Sequence, residues 1–158
     1  MKIPSKGFTL IELLATVLIV SILAAWAIPA YQRAVENTRV AEAKIILKTI
    51  YDANNIYNMS MGNYTDDVEA LEIIIPGESE TVEGTNRINS KTFQYGAGAD
   101  DTLAFAVRLP TNGESSYTLR ILKNKPGMVL CSATEQAGID KCIEFSDGLQ
   151  SGDYYIVQ

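Results

Sequence analysis

The chain begins with a long apolar run from Leu13 to Tyr31, which only Thr16, Ser21 and Pro29 interrupt. At 1.5 Å rise per residue, about twenty helical residues span roughly 30 Å, the hydrocarbon thickness of a bilayer. The pattern therefore predicts a helix that is covered by lipid or by other apolar helices.

The helical pattern continues beyond Arg33 with a different arrangement. Apolar residues now recur at i, i+3, i+4 and i+7 spacing, while the charged side chains lie largely on other faces. This indicates an amphipathic helix whose apolar stripe covers a sheet. We expect one helix from Phe8 to about Tyr57, then a connector from Met59 to Asp67. The stripe consists of Ala43, Ile46, Leu47, Ile50, Ala53 and Tyr57.

The C-terminal half alternates with period two, which is typical of strands. Residues 104–109 and 117–121 predict two strands joined by a turn at 111–114, and residues 128–131 extend the meander to three or four strands. The fold class is therefore α+β, a long helix packed on a small antiparallel sheet. We further expect a short helix at 68–74, a surface loop at 76–86, and extended pieces at 92–95, 143–145 and 154–157.

Composition narrows the possible functions. The 158 residues carry a formal charge of −6 and no histidine. The missing histidine excludes Ser-His-Asp, Cys-His and His-zinc chemistry. No glycine loop suited to a phosphate and no catalytic constellation is visible, so we expect no enzyme activity, no cofactor and no metal. The acidic balance argues against non-specific nucleic-acid binding by the bulk surface, and no specific nucleic acid is predicted.

The two cysteines, Cys131 and Cys142, lie close together near the C-terminus. An even count favours one disulfide if the chain is exported, and two unpaired buried cysteines are the alternative. Their spacing is not that of a thioredoxin-like motif. By closing this loop, the disulfide would stabilise the fold by roughly 2 to 3 kcal/mol.

The start of the apolar run carries an unexpected charge. Lys2 and Lys6 precede the run, which places the N-terminus in the cytoplasm by the positive-inside rule. Glu12 lies at its head, and an ionised side chain costs about 2.5 to 3.5 kcal/mol at mid-bilayer. A secretory signal peptide cleaved near Ala27 and a plain membrane anchor both remain possible, but neither explains Glu12. The run is also long for a signal peptide.

The octapeptide from Gly7 to Leu14, GFTLIELL, resembles the processing site of type IV pilins and of the pseudopilins of type II secretion. The resemblance implies cleavage between Gly7 and Phe8 by a prepilin peptidase, N-methylation of Phe8, and an assembly role for Glu12. It also implies a kink at Pro29, with local helix melting before it during assembly. Glu12 would then meet the N-terminal amine of a neighbouring subunit, because a buried carboxylate requires a cationic partner.

The same resemblance implies an organisation and a set of partners. Residues 1–7 would be a leader, 8–32 a transmembrane and assembly helix, and 33–158 a periplasmic or surface globular domain. Removal of the leader takes Lys2 and Lys6 with it, so 11 basic residues remain against 19 acidic ones and the charge becomes −8. The partners would be identical or related subunits, the peptidase, an inner-membrane assembly platform and its motor ATPase.

The C-terminal half bears on the choice within this family. The cysteine pair resembles the C-terminal disulfide loop of type IV pilins, which many pseudopilins lack. Major pseudopilins instead hold calcium in this region, where Asp140, Asp147 and Asp153 offer oxygen ligands here. Their spacing matches no EF-hand, so solvated turn carboxylates are the expected role.

The sequence predicts a structural subunit of a type IV pilus, with the surface roles of adhesion, twitching motility or DNA uptake. It would be a single-pass inner-membrane protein before assembly and part of an extracellular fibre afterwards. A type II secretion pseudopilin is the first alternative. A membrane-anchored extracytoplasmic binding domain with a coincidental leader is the second.

Overall fold

A computed structural model describes residues 7–109 and 116–158. Contacts divide the chain into two compact units, one ending at Thr38 and the other beginning at Arg39. Helix α1 (Leu10–Met61, 52 residues) confirms the predicted long N-terminal helix. It ends four residues later than expected, and Gly62 follows with a φ of +81° and donates its N–H to the carbonyl oxygen of Asn58 at 2.9 Å. A left-handed residue after the last turn is a common helix ending that glycine accommodates without strain.

In the second unit, α1 contributes one face to the core. Buried positions recur at the predicted helical spacing, with Val40, Ala43, Leu47 and Ile50 all less than 5% exposed. These residues share one hydrophobic cluster with strands of the sheet and with a second helix, α2 (Gln136–Ser146). The predicted α+β arrangement is confirmed.

The sheet has eight strands, and all its pairings are antiparallel. Their order is β1-β2-β3-β4-β5-β6-β8-β7, so the chain runs as a meander until the last two strands exchange places. The strands are β1 (Glu78–Val82), β2 (Thr85–Asn89), β3 (Phe93–Ala97), β4 (Thr102–Arg108), β5 (Thr118–Leu122), β6 (Leu130–Ser132), β7 (Gln150–Ser151) and β8 (Tyr154–Ile156). Strands β4, β5 and β8 match predicted segments closely. The predicted meander of three or four strands was too short, because six consecutive strands pair in chain order. The predicted turn at 111–114 lies outside the described residues.

The prediction of a surface loop at 76–86 was wrong. This segment contains β1 and the start of β2, which pair in register from Glu78 with Asn89 to Val82 with Thr85. The connecting residues Glu83 and Gly84 both have positive φ, +53° and +83°. Two such residues form the tight turn whose twist suits a hairpin. The acidic side chains of β1 are exposed to solvent, so their charge is compatible with a strand.

The prediction of an extended segment at 143–145 was also wrong, because these residues belong to α2. The buried residues Gly138, Cys142 and Phe145 follow helical spacing, which a window of three residues cannot reveal. At the predicted short helix of 68–74 the chain makes one 3-10 turn, Glu69–Leu71.

Asn54 is a fully buried polar residue on the apolar face of α1. Its Nδ2 lies within hydrogen-bond distance of three carbonyl oxygens, those of Thr65 at 3.0 Å, Gly98 at 2.9 Å and Leu103 at 3.1 Å. Its Oδ1 accepts the N–H of Thr65 at 3.1 Å. One amide thereby joins the helix, the connector after it and the β3–β4 region, and satisfies backbone groups that burial would otherwise leave unpaired.

Candidate functional site

The N-terminal segment begins with exposed, non-helical residues. Gly7, Phe8 and Thr9 precede α1, and the side chain of Phe8 is 86% exposed. The peptide bond between Gly7 and Phe8, the predicted cleavage point, therefore lies outside the helix. A bond outside the helix and beside an exposed side chain is accessible to a peptidase.

Thr9 and Glu12 cap the start of α1 reciprocally. Oε2 of Glu12 accepts the backbone N–H of Thr9 at 2.9 Å and its hydroxyl at 2.7 Å. The hydroxyl oxygen of Thr9 in turn accepts the N–H of Glu12 at 3.3 Å. This is a capping box, which satisfies backbone donors that the first helical turn leaves free.

The capping box changes the interpretation of Glu12. Sequence reasoning treated this carboxylate as an acid that needs a partner from another chain, whereas the subunit itself supplies two donors. Both bonds go to Oε2, and no residue in 7–109 or 116–158 donates to Oε1. The carboxylate thus keeps one oxygen and its full negative charge available. The Thr-x-x-Glu spacing ahead of an apolar run was the sequence signal that could have revealed the cap.

The apolar run is exposed along its length. Within the part of the chain that the structure describes, α1 is the one helix long and apolar enough to cross a membrane by length and composition, and none of its most apolar stretch is buried. Trp26, for example, is 88% exposed. An apolar surface of this extent is a site for lipid or protein contact.

The hydroxyls that interrupt the run are satisfied within the helix. Thr16 donates to the carbonyl oxygen of Leu13 at 2.8 Å, and Ser21 donates to that of Val17 at 2.7 Å. Polar side chains that bond their own helix in this way add little cost in an apolar surrounding. Glu12 is the one side chain of residues 8–32 that is charged at neutral pH.

Pro29 lies within an α1 that runs without interruption from Leu10 to Met61. Proline has no N–H, so the carbonyl oxygen of Ala25, four residues earlier, lacks its normal helical donor. The structure places Pro29 inside the helix and leaves the predicted melting in a fibre as a prediction.

The cysteines form the predicted disulfide, between β6 and α2. Cys131 and Cys142 are bonded with their Cα atoms 5.4 Å apart, and both are fully buried. The bond joins the sheet to the helix that follows it. In the described residues, no three His, Cys, Asp or Glu side chains form a group that could hold a metal. Asp140, which the sequence offered as a calcium ligand, accepts a hydrogen bond from Nε2 of Gln136 at 2.9 Å.

Comparison with known proteins addresses this same segment. A protein-family model described as the prokaryotic N-terminal methylation motif matches residues 4–28. The matched residues include the exposed start, the capping box and most of the apolar run described above.

Three relatives extend the match beyond the motif. The type IV major pilin protein PilA of Myxococcus xanthus is 40% identical over 62 residues, which is 39% of this chain and 28% of the relative. The type IV major pilin protein PilE1 of Neisseria gonorrhoeae is 37% identical over 71 residues, 45% of this chain and 43% of the relative. The type IV major fimbrial protein FimA of Dichelobacter nodosus is 57% identical over 42 residues, 27% of this chain and 26% of the relative.

The matched length covers less than half of each of these relatives. No solved structure matches the chain significantly.

Proposed function

We propose that this chain is a structural subunit that polymerises through residues 8–32 into a type IV pilus, with residues 33–158 as its surface domain. The observation that carries the proposal is the exposed apolar N-terminal stretch of α1, with a single capped carboxylate at its start. The N-terminal methylation motif matches residues 4–28, which cover most of this segment, and relatives named as type IV major pilins match part of the chain. A surface filament of this kind serves adhesion, twitching motility or DNA uptake.

The exposed helix requires a cover at each stage of the subunit's life. Burial of apolar surface stabilises by roughly 25 cal/mol per Å², so a bare helix in water is strongly disfavoured. Lipid covers it before assembly, with Lys2 and Lys6 on the cytoplasmic side. Identical helices cover it in the fibre, where close packing replaces the lipid.

Glu12 sets the register between subunits. Cleavage after Gly7 creates a new amine at Phe8, and methylation of that amine leaves it cationic. The free Oε1 of Glu12 faces this amine on a neighbouring chain, and the pair allows both charges to leave the aqueous phase. Oε2 continues to cap its own helix.

Assembly needs partners that this chain does not supply. A prepilin peptidase removes residues 1–7 and a methylase modifies Phe8. An inner-membrane platform with a motor ATPase extracts the subunit into the fibre, because nothing in the sequence is suited to bind nucleotide.

Mass spectrometry of the mature chain tests the proposal. The expected mature protein begins at Phe8 and is one methyl group heavier than its sequence. Gly7→Val should block cleavage and fibre formation, while Ser5→Ala, a matched change within the leader, should leave both intact. A mature chain that starts at Met1 or near Ala27 would contradict the proposal and support an anchored or secreted binding domain.

The location of the assembled chain separates a pilus from a pseudopilus. Extracellular fibres that contain the chain are expected for a pilus. A secretion defect on deletion, without surface fibres from the wild type, would assign the chain to type II secretion instead.

A further inference from the structure

The outer face of the sheet carries a row of alternating cations and aromatic rings. The guanidinium of Arg87 lies 5.3 Å from the ring centroid of Phe105, and that of Arg120 lies 5.5 Å from the centroid of Tyr154. Phe105 and Arg120 are register partners on β4 and β5, and Nζ of Lys125 is 5.9 Å from Tyr154. Contacts within about 6 Å of a centroid are favourable cation–π interactions. The row therefore fixes its cations on the sheet surface.

The two ends of this row differ in charge. At the Arg87 end, Asp66, Asp100 and Asp101 line the same cavity as Arg87 and offset its charge. At the other end, Arg120, Lys123 and Lys125 have no carboxylate of the described residues within ion-pair distance. We call Arg120, Lys123, Lys125 and Tyr154 the basic patch.

The cations of the basic patch are held by neighbouring groups, with Lys123 exposed and Arg120 and Lys125 half-buried. Nζ of Lys123 lies 4.7 Å from the ring centroid of Tyr64, and Lys123 is exposed. Nζ of Lys125 donates to the hydroxyl of Ser151 at 2.7 Å and to its carbonyl oxygen at 3.2 Å. Nε of Arg120 is buried and has no hydrogen-bond partner. Side chains that are already ordered lose less entropy when a partner binds.

The opposite end of the sheet has the complementary charge. The β1–β2 hairpin, residues 78–89, is the acidic hairpin: Glu78, Glu80 and Glu83 are all exposed. β1 is the edge strand of the sheet, whereas β5 and β8 lie beyond β2, β3 and β4. Because three strands separate β1 from β5, the glutamates of β1 and the basic patch of one chain lie too far apart to pair with each other.

We propose that the basic patch binds the acidic hairpin of a second copy of this chain. The contact joins two different surfaces, so it is heterologous, and a heterologous contact whose rotation does not close repeats from copy to copy as a helical filament. Charge complementarity identifies the occupant. The chain has a net charge of −6, so like copies repel unless their few unpaired cations face carboxylates. The inference rests on the proposed function, since it assigns a contact between subunits of the same fibre.

Carbodiimide coupling of assembled wild-type fibres tests the contact directly. The reagent joins a carboxylate to an amine without a spacer, so only touching side chains react. Fibres assembled from equal amounts of light and heavy isotope-labelled chains should give mixed-label peptides that join Glu78, Glu80 or Glu83 to Lys123 or Lys125. Fibres that give other mixed-label links but none between the hairpin and the patch would overturn the inference.

Charge reversal provides a second, independent test. Lys123→Glu with Lys125→Glu should lower fibre yield by about threefold or more, and so should Glu78→Lys with Glu80→Lys. Combining both pairs should restore most of the yield, because the charges are exchanged and remain complementary. The matched control is Lys48→Glu with Lys91→Glu, which makes the same change in net charge at two exposed lysines outside the patch and should leave the yield near wild type.

The outcomes distinguish this inference from the function on which it rests. If wild-type chains form no fibres at all, the proposed function fails. If fibres form, the lysine variant assembles as well as its control and the Glu78→Lys, Glu80→Lys variant assembles as well as wild type, the inference fails and the pilus subunit stands. In that case the glutamates of β1 serve only to prevent strand addition at the sheet edge.

Discussion

Oε2 of Glu12 accepts two hydrogen bonds from Thr9, at 2.9 Å from the backbone N–H and at 2.7 Å from the hydroxyl. The same carboxylate therefore starts the helix of its own subunit and carries the charge that the proposed assembly requires. Substitution separates the two roles, since glutamine can still cap the helix without a charge.

Thr9→Val removes the hydroxyl of the capping box and keeps the shape of the side chain. We expect it to destabilise the first turn of α1 by about 0.5 to 2 kcal/mol and to accelerate amide hydrogen exchange there in the solubilised full chain. Fibres should still form because Glu12 retains its charge. Thr9→Ser is the matched control and should behave as wild type. Loss of fibres in the valine variant alone would assign the assembly role to the cap.

Asn54→Ala removes the amide that joins α1 to the carbonyl oxygens of Thr65, Gly98 and Leu103. Unpaired buried polar groups make this costly, on the order of 3 kcal/mol in the free energy of unfolding. Chemical denaturation of the solubilised chain measures the loss. Thr49→Ala, on the exposed side of the same helix, should stay within about 0.5 kcal/mol of wild type. Equal midpoints for the two variants would contradict this role of Asn54.

Loss of the Cys131–Cys142 bond should lower the free energy of unfolding by roughly 2 to 3 kcal/mol. Both cysteines are fully buried, so reductant should act slowly on the native chain and quickly under partly denaturing conditions. The double variant Cys131→Ala with Cys142→Ala should show the same loss without reductant. A thermal midpoint that neither treatment changes would contradict a stabilising role for the bond.

We expect the ionisation of Tyr95 to lower the free energy of unfolding at alkaline pH. Burial, with a smaller effect of the Glu42 carboxylate, raises the pKa of Tyr95 to about 12 from an ordinary value of 10.0. As pH rises, the unfolded chain releases this proton first. The contribution to stability is therefore complete below about pH 10 and is lost between about pH 10 and 12, up to roughly 3 kcal/mol.

Denaturant unfolding over this pH range checks the prediction. Tyr95→Phe has no group to titrate at this position, so its stability should fall less steeply than that of wild type between about pH 10 and 12. Parallel curves for the two proteins would show that Tyr95 ionises equally in both states.

The long helix and the central strands could be predicted because their residues follow simple periods. The uniform apolar character of residues 13–31 marked the segment exposed in the structure, and the spacing of Ala43, Leu47 and Ile50 marked the buried stripe. Alternation over residues 104–109 and 117–121 marked β4 and β5. Each pattern reports directly on which side of an element is covered.

The remaining features depend on contacts that a local pattern does not record. Asn54 is polar, yet it can be buried because its Nδ2 lies within hydrogen-bond distance of three carbonyl oxygens that are far from it in the sequence. Arg108 lies on the buried side of β4, where its Nη1 donates to the carbonyl oxygen of Thr92 at 3.1 Å. The acidic β1 is a strand because β2 pairs with it, although neither of its faces is buried.

Glu12→Gln tests the central claim most directly, through the yield of fibres sheared from cells that express the prepilin peptidase and assembly platform. The glutamine retains an oxygen that can cap Thr9, so helix content, membrane insertion and removal of residues 1–7 should match wild type. We predict that fibre yield nevertheless falls sharply, while Thr9→Val fibres persist. Wild-type yield from Glu12→Gln would contradict the claim that the charge of Glu12 drives assembly.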